Sequence, residues 1–166
     1  MDASGGALGL ADGVRVDVWD LKEWAQRTLD PNTDVDGARA PRSALAGELL
    51  PGWCEDWVLL ERERLRQLRL HALEVLADKL ARAGRHSEAV QAACAAVRAE
   101  PLRESAHRAL VRVHLAEGNV AEAVRAYRSF RDMLAYELGV TPTEHMEGLM
   151  FRAQLGVVEP RPPVPD

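Results

Sequence analysis

Two stretches of this chain recur at one fixed interval. Gly84 returns as Gly118, and Glu88-Ala89-Val90 returns as Glu122-Ala123-Val124. In the preceding segment Ala72 and Leu76 return as Ala106 and Leu110 at the same interval. A unit this short cannot bury its own apolar face, so it must stack on a neighbour. The hydrophobic spacing says what is stacked. From Glu55 to Ala83 there is neither Gly nor Pro, and Leu60, Leu65, Leu68, Ala72, Leu76 and Leu80 recur at helical intervals. This predicts one amphipathic helix of roughly 28 residues, ended by Gly84. Helices over 87–99, 104–117 and 120–137 follow, separated by Glu100-Pro101-Leu102 and Gly118 and closed by Gly139.

A period of about 34 residues over helix–turn–helix is the tetratricopeptide spacing. With Ala89 and Ala123 at the small position 20, the repeats cover about 70–103 and 104–137. Leu76 and Leu110 then take position 7, and Gly84 and Gly118 the turn between helices. Ala93 and Tyr127 take position 24, Ala96 and Phe130 position 27, and Pro101 position 32. Position 20 must be small because two helices cross closely there, and position 7 supplies a large knob between them. The match fails on either side. The expected fold is therefore all-α: an array of helical hairpins with two recognisable repeats and capping helices. The plainer alternative is two helical hairpins that match by accident.

The flanks are less regular. In residues 2–16 the pieces Ala7-Leu8-Gly9-Leu10 and Val14-Arg15-Val16 flank Ala11-Asp12-Gly13, which reads as a weak hairpin or a loose arm. Asp17 is placed to cap a helix running to Leu29, with Val18, Leu21, Ala25 and Thr28 or Leu29 as its stripe and Trp24 beside it. A short helix is expected over 43–50. Thr141-Pro142-Thr143-Glu144 reads as a helix start with Thr141 as cap. The organisation expected is an arm over 1–16, a helical domain over 17–155, and a disordered Pro-rich tail over 156–166.

Composition excludes several classes. The net charge is −5, and the segment 1–60 is the most acidic part, which argues against nucleic-acid binding by bulk charge. No apolar run reaches membrane length and no signal peptide is visible, so a cytoplasmic protein is expected. Cys54 and Cys94 fit a reducing compartment and read as buried thiols. There is no phosphate loop, no HExxH and no nucleophile elbow, so neither enzyme activity nor a cofactor or metal is expected. His107 and His114 lie seven apart, too far for a metal pair, and read as packing residues.

From Leu49 to Leu149 the chain resembles the bacterial transcriptional activator domain of the Streptomyces antibiotic regulatory protein family. The resemblance rests on Leu49-Leu50-Pro51-Gly52-Trp53, Asp56-Trp57-Val58 and Glu61-Arg62-Glu63-Arg64-Leu65. It continues through Gly84-Arg85, Glu88-Ala89-Val90, Pro101-Leu102-Arg103-Glu104, His107-Arg108 and Glu137-Leu138-Gly139-Val140-Thr141-Pro142. Family members usually carry a winged helix-turn-helix ahead of this domain. Residues 1–16 resemble at most the exit from such a wing, so the chain reads as a fragment or a truncated regulator. The family usually has Asp before the Pro-Leu, where this chain has Glu100. The resemblance implies an activator domain that contacts the transcription machinery or self-associates, with no sequence-specific DNA reading by this chain alone. The alternative is a free-standing adaptor that holds a peptide in its groove. A helix-turn-helix encoded in the roughly 90 residues upstream of Met1 would discriminate the two.

Three sets of residues are candidate contacts. Repeat positions 2, 5 and 9 are His71, Glu74 and Asp78, then Ser105, Arg108 and Arg112. They line a groove with charges of both signs, which could take a protein segment or close on itself. Arg62, Arg66 and Arg69 form a basic stripe, either a solvated face or a contact for phosphate or an acidic protein surface. Trp53 and Trp57 read as anchors of the long helix, with an exposed partner-binding pair as the alternative.

Overall fold

The computed structural model describes residues 2–4, 7–9, 11, 13–35, 40–41 and 47–154. Among them are two short strands, β1 (Asp2–Ser4) and β2 (Ala7–Gly9), and six helices. The helices are α1 (Asp17–Leu29), α2 (Asp56–Arg82), α3 (His86–Ala99), α4 (Glu104–Ala116), α5 (Val120–Leu138) and α6 (Glu144–Gln154). The chain forms two compact units, Met1–Arg69 and Leu70–Asp166. The division falls inside α2, at the residue where the first repeat begins.

The second unit is the all-α hairpin array. Residues 70–82 of α2 with α3 form one hairpin, and α4 with α5 form the next. Both turns close in the same way, one repeat apart. Gly84 has φ +75° and Gly118 has φ +83°, a left-handed backbone that favours glycine. The residue after each glycine donates its amide five residues back: Arg85 to the Leu80 carbonyl at 2.9 Å, and Asn119 to the His114 carbonyl at 2.8 Å. This is the Schellman closure, which satisfies carbonyls left over at a helix end. Asn119 then caps α5 by accepting the Glu122 amide.

The repeat register is visible in the burial. Ala89 and Ala123 are both 0% exposed, as a close helix crossing at position 20 requires. Leu76, Ala93 and Ala96 are buried, while Leu110 is half-buried. Phe130, at position 27, is fully buried at the centre of a cluster of Val111, Ala123, Leu134, Met146 and Met150. The two methionines come from α6, so the last helix covers the end of the second hairpin. Helix α6 starts at Glu144, and the Thr143 carbonyl accepts the Met146 and Glu147 amides. The capping residue is therefore Thr143, two residues beyond the expected Thr141, and Pro142 is buried ahead of the helix.

The first unit departs more from expectation. The strand ladder pairs Asp2 with Gly9 and Ser4 with Ala7, antiparallel. Residues 14–16, the expected second strand, take no part in it. Helix α1 has Val16 as its N-cap, with no side-chain cap bond, and Asp17 is the first helical residue. Trp24 is not beside the stripe but in it, at 1% exposure with Leu21, Ala25 and Thr28. Across this unit Lys22 Nζ meets Glu61 Oε1 at 2.8 Å. Of the short helix expected over 43–50, residues 42–46 lie outside the described residues, and 47–50 are not helical. The expected tail over 156–166 also lies outside them.

Candidate functional site

The first helices of the two hairpins bring most of the groove candidates together and pair them off. Glu74, buried on α2, accepts from Arg103 Nε at 2.7 Å and from the Ser105 hydroxyl at 2.8 Å. Asp78 takes Arg112 in a two-pronged pair, 3.2 Å from Nε and 2.9 Å from Nη2. These two residues occupy the same repeat position, so the pair ties equivalent points of adjacent repeats. Arg108 donates to Glu104 one turn back at 3.2 Å. Glu104 also accepts the Thr143 amide at 2.8 Å and the Thr143 hydroxyl, which links α4 to the start of α6. His71 stands exposed, outside the network.

Three carboxylates therefore face three guanidiniums. Two of the six, Arg103 and Glu104, were not among the groove candidates. Both lie in Pro101-Leu102-Arg103-Glu104, where the chain enters α4, and only the fold shows that this corner turns toward α2. Guanidinium–carboxylate pairs of this kind are directional and charge-assisted. The Arg112–Asp78 pair is partly exposed, at 39% and 30%, so it contributes on the order of 1 kcal/mol or less. A carboxylate-bearing partner that engages Arg112 must displace Asp78 or share its guanidinium.

The basic stripe is turned to a different task. Arg62 donates to the carbonyls of Leu49, Leu50 and Trp53 and lies 3.0 Å from Glu48. It clasps the segment ahead of α2, where Leu50 is held at φ +46°, a costly backbone for a residue with a side chain. Arg66 is paired with Glu63 at 2.8 Å. Arg69 donates Nη2 to the Gly47 carbonyl at 2.9 Å. Trp53 and Trp57 are 51% and 57% exposed, so they are surface residues rather than anchors of the long helix. The segment 51–57 lies on the surface throughout, and Cys54, expected as a buried thiol, is exposed with it.

His107 is a packing residue. Its ring stacks on Phe130 with centroids 4.1 Å apart and planes 23° apart. Nε2 lies 2.8 Å from the Pro101 carbonyl, so it carries the proton in the neutral ring. Burial pushes its pKa below the ordinary 6.5, opposed in part by that bond. The unfolded chain then takes up this proton at a higher pH than the folded one. The contribution to stability is fully present above about pH 6.5 and is lost as pH falls through the lowered value. Urea denaturation at pH 7.5 and 5.5 checks this: the wild type loses more stability on acidification than His107→Phe. An equal loss in both would show that His107 has no part in the acid sensitivity. Among the described residues no group of His, Cys, Asp and Glu could hold a metal, and no helix is long and apolar enough to cross a membrane.

Comparison with known proteins gives this helical array a context. A 106-residue stretch is 37% identical to the regulatory protein AfsR of Streptomyces coelicolor, covering 64% of this chain and 11% of that protein. The AfsR of Streptomyces griseus is 37% identical over 92 residues, 55% of this chain and 9% of that protein. The chain thus spans about a tenth of the length of the curated relatives it matches. The family profile described as the bacterial transcriptional activator domain matches residues 17–152, from the start of α1 into the last turn of α6. With most of its length matched, and its helical hairpins in the register the repeats require, the chain belongs to the bacterial transcriptional activator domain family.

Proposed function

We propose that this domain serves a bacterial transcription regulator through protein–protein contacts with the transcription machinery, or with a second copy of itself, and that it does not read DNA sequence. The observation that carries this reading is the pairing of charge. The stripe that was the candidate for phosphate is spent on loop carbonyls and on Glu48 and Glu63. Three phosphate contacts at most would give binding that salt removes and that reads no bases. Base readout needs an element that enters the major groove and presents Arg, Asn or Gln to base edges. Among the described residues, α2 from residue 70, α3, α4 and α5 are taken up by the two hairpins. An anisotropy titration at about 150 mM salt, comparing promoter with scrambled DNA, is expected to show weak and equal binding. Tight binding that separates the two sequences would overturn the proposal.

The groove remains the candidate contact for a carboxylate-bearing partner segment, through Arg108 and Arg112. The double variant Arg108→Ala, Arg112→Ala is expected to weaken capture of purified RNA polymerase holoenzyme. Stability should fall by only about 1 kcal/mol, since both pairs are partly solvated. If the double variant unfolds, these side chains serve the core and the groove contact is lost as a proposal. If it folds and captures polymerase as the wild type does, the contact lies elsewhere on the domain.

A further inference from the structure

The first helices of the two hairpins carry opposite charge toward each other. At repeat positions 5 and 9, α2 carries Glu74 and Asp78, and α4 carries Arg108 and Arg112. The pairs that close this groove are not equally free to open. Glu74 holds two donors, Arg103 and the Ser105 hydroxyl, and its side chain is 11% exposed, so it is fixed in place. Glu104 holds Arg108 together with the amide and the hydroxyl of Thr143. A partner that draws Arg108 away therefore leaves Glu104 satisfied.

Asp78 stands differently. Among the described residues Arg112 is the one partner of its carboxylate, engaging both oxygens. Both side chains are open to solvent on the groove side chain faces, Arg112 at 39% and Asp78 at 30%. A partner carboxylate that takes Arg112 strips Asp78 of its counter-ion and comes to rest beside it, like charge against like. A partner that also brings a cation removes both costs. Its base replaces Arg112 on Asp78, its acid replaces Asp78 on Arg112, and no ion pair is lost.

We propose that the groove selects a protein segment carrying an acid and a base side by side, and that Asp78 is the residue that sets this preference. The inference rests on the groove contact proposed above and adds its specificity. An acid and a base three or four residues apart on a helix lie side by side. When free they pair with each other, so docking exchanges two internal pairs for two across the interface. A segment bearing acids alone meets Asp78 as a repulsive element, and rejection of such a segment is how a groove of this kind discriminates.

The test selects short random peptides, displayed on phage, against the full chain, with the Arg108→Ala, Arg112→Ala double variant for counter-selection. The recovered peptides are expected to hold an acid and a base within one helical turn. Each is then synthesised as selected and with its base replaced by glutamine, and titrated by fluorescence anisotropy. On the wild type the replacement is expected to weaken binding about three- to fivefold, the scale of a partly solvated ion pair. On Asp78→Asn, where Arg112 has no carboxylate to leave behind, the two peptides should bind alike, and the glutamine peptide should bind more tightly than it does to the wild type. The wild-type titrations need no protein variant, so they decide the matter if Asp78→Asn does not fold: an unchanged affinity on replacing the base overturns the inference. Recovery of acid-only peptides, or an equal loss on the wild type and on Asp78→Asn, also overturns it and leaves the carboxylate contact of Arg108 and Arg112 standing. If no peptide distinguishes the wild type from the double variant, the groove contact falls, and this inference falls with it.

Discussion

Phe130→Ala is expected to lower stability by about 3–5 kcal/mol. The reason lies in what surrounds the ring. Phe130 is fully buried in one cluster with residues of three helices: Val111 of α4, Ala123 and Leu134 of its own helix, and Met146 and Met150 of α6. Its face is stacked on His107, and such ring pairs contribute roughly 0.5–1.5 kcal/mol beyond buried area. Truncation removes the ring and leaves a cavity among Val111, Leu134, Met146 and Met150. The two methionines are flexible enough to move in partly, which places the cost toward the lower end. At roughly 2–4 °C per kcal/mol for a chain of this size, Tm falls by at least about 6 °C. Phe130→Leu, closer in volume, should cost less than half as much. Urea denaturation followed by helical ellipticity measures both. A loss under about 1 kcal/mol for the alanine variant would mean that Phe130 does not hold the layers together.

How much of this was legible in the sequence depends on the range of the interaction. The hairpins were legible because a helix boundary is a local event. Gly84 and Gly118 mark left-handed turns, and the alanines at 89 and 123 mark a crossing that repeats at the same interval. Pairing within the groove was half legible. Charges of both signs at positions 5 and 9 admitted internal closure, but Arg103 and Glu104 sit at a corner whose direction only the tertiary path defines. The roles of Arg62 and Arg69 were hidden altogether. Their partners are carbonyls 9–22 residues back, and a carbonyl has no residue type to read. The strand ladder was missed for a related reason. Residues 2–9 are small and give no alternation, so nothing local chose between partners for β2. Trp53 and Trp57 misled because four-residue spacing suggests one helix face, whereas α2 begins only at Asp56 and Trp53 lies on the exposed segment ahead of it.

The repeat register itself makes the other large prediction. Ala123→Leu is expected to destabilise by about 1–3 kcal/mol, through overfilling a close crossing rather than through a lost contact. Ala123 is 0% exposed and joins the cluster around Phe130 and Val111, so three added carbons must displace α5 from α4 or force poor rotamers. Leucine and alanine are both strong helix formers, so helix propensity cannot account for a loss of this size. Ala121, two residues earlier on the same helix, is exposed and supplies the control. Ala121→Leu keeps propensity and adds the same three carbons on the solvent side, and should stay within about 0.5 kcal/mol of the wild type. The contrast between the pair is what the register requires. Ala89 is the equivalent of Ala123 in the first repeat and has the same burial, so Ala89→Leu should repeat the loss in the first hairpin. If Ala121→Leu and Ala123→Leu cost the same, position 20 is not a close crossing, and the hairpins are held by something other than the tetratricopeptide geometry.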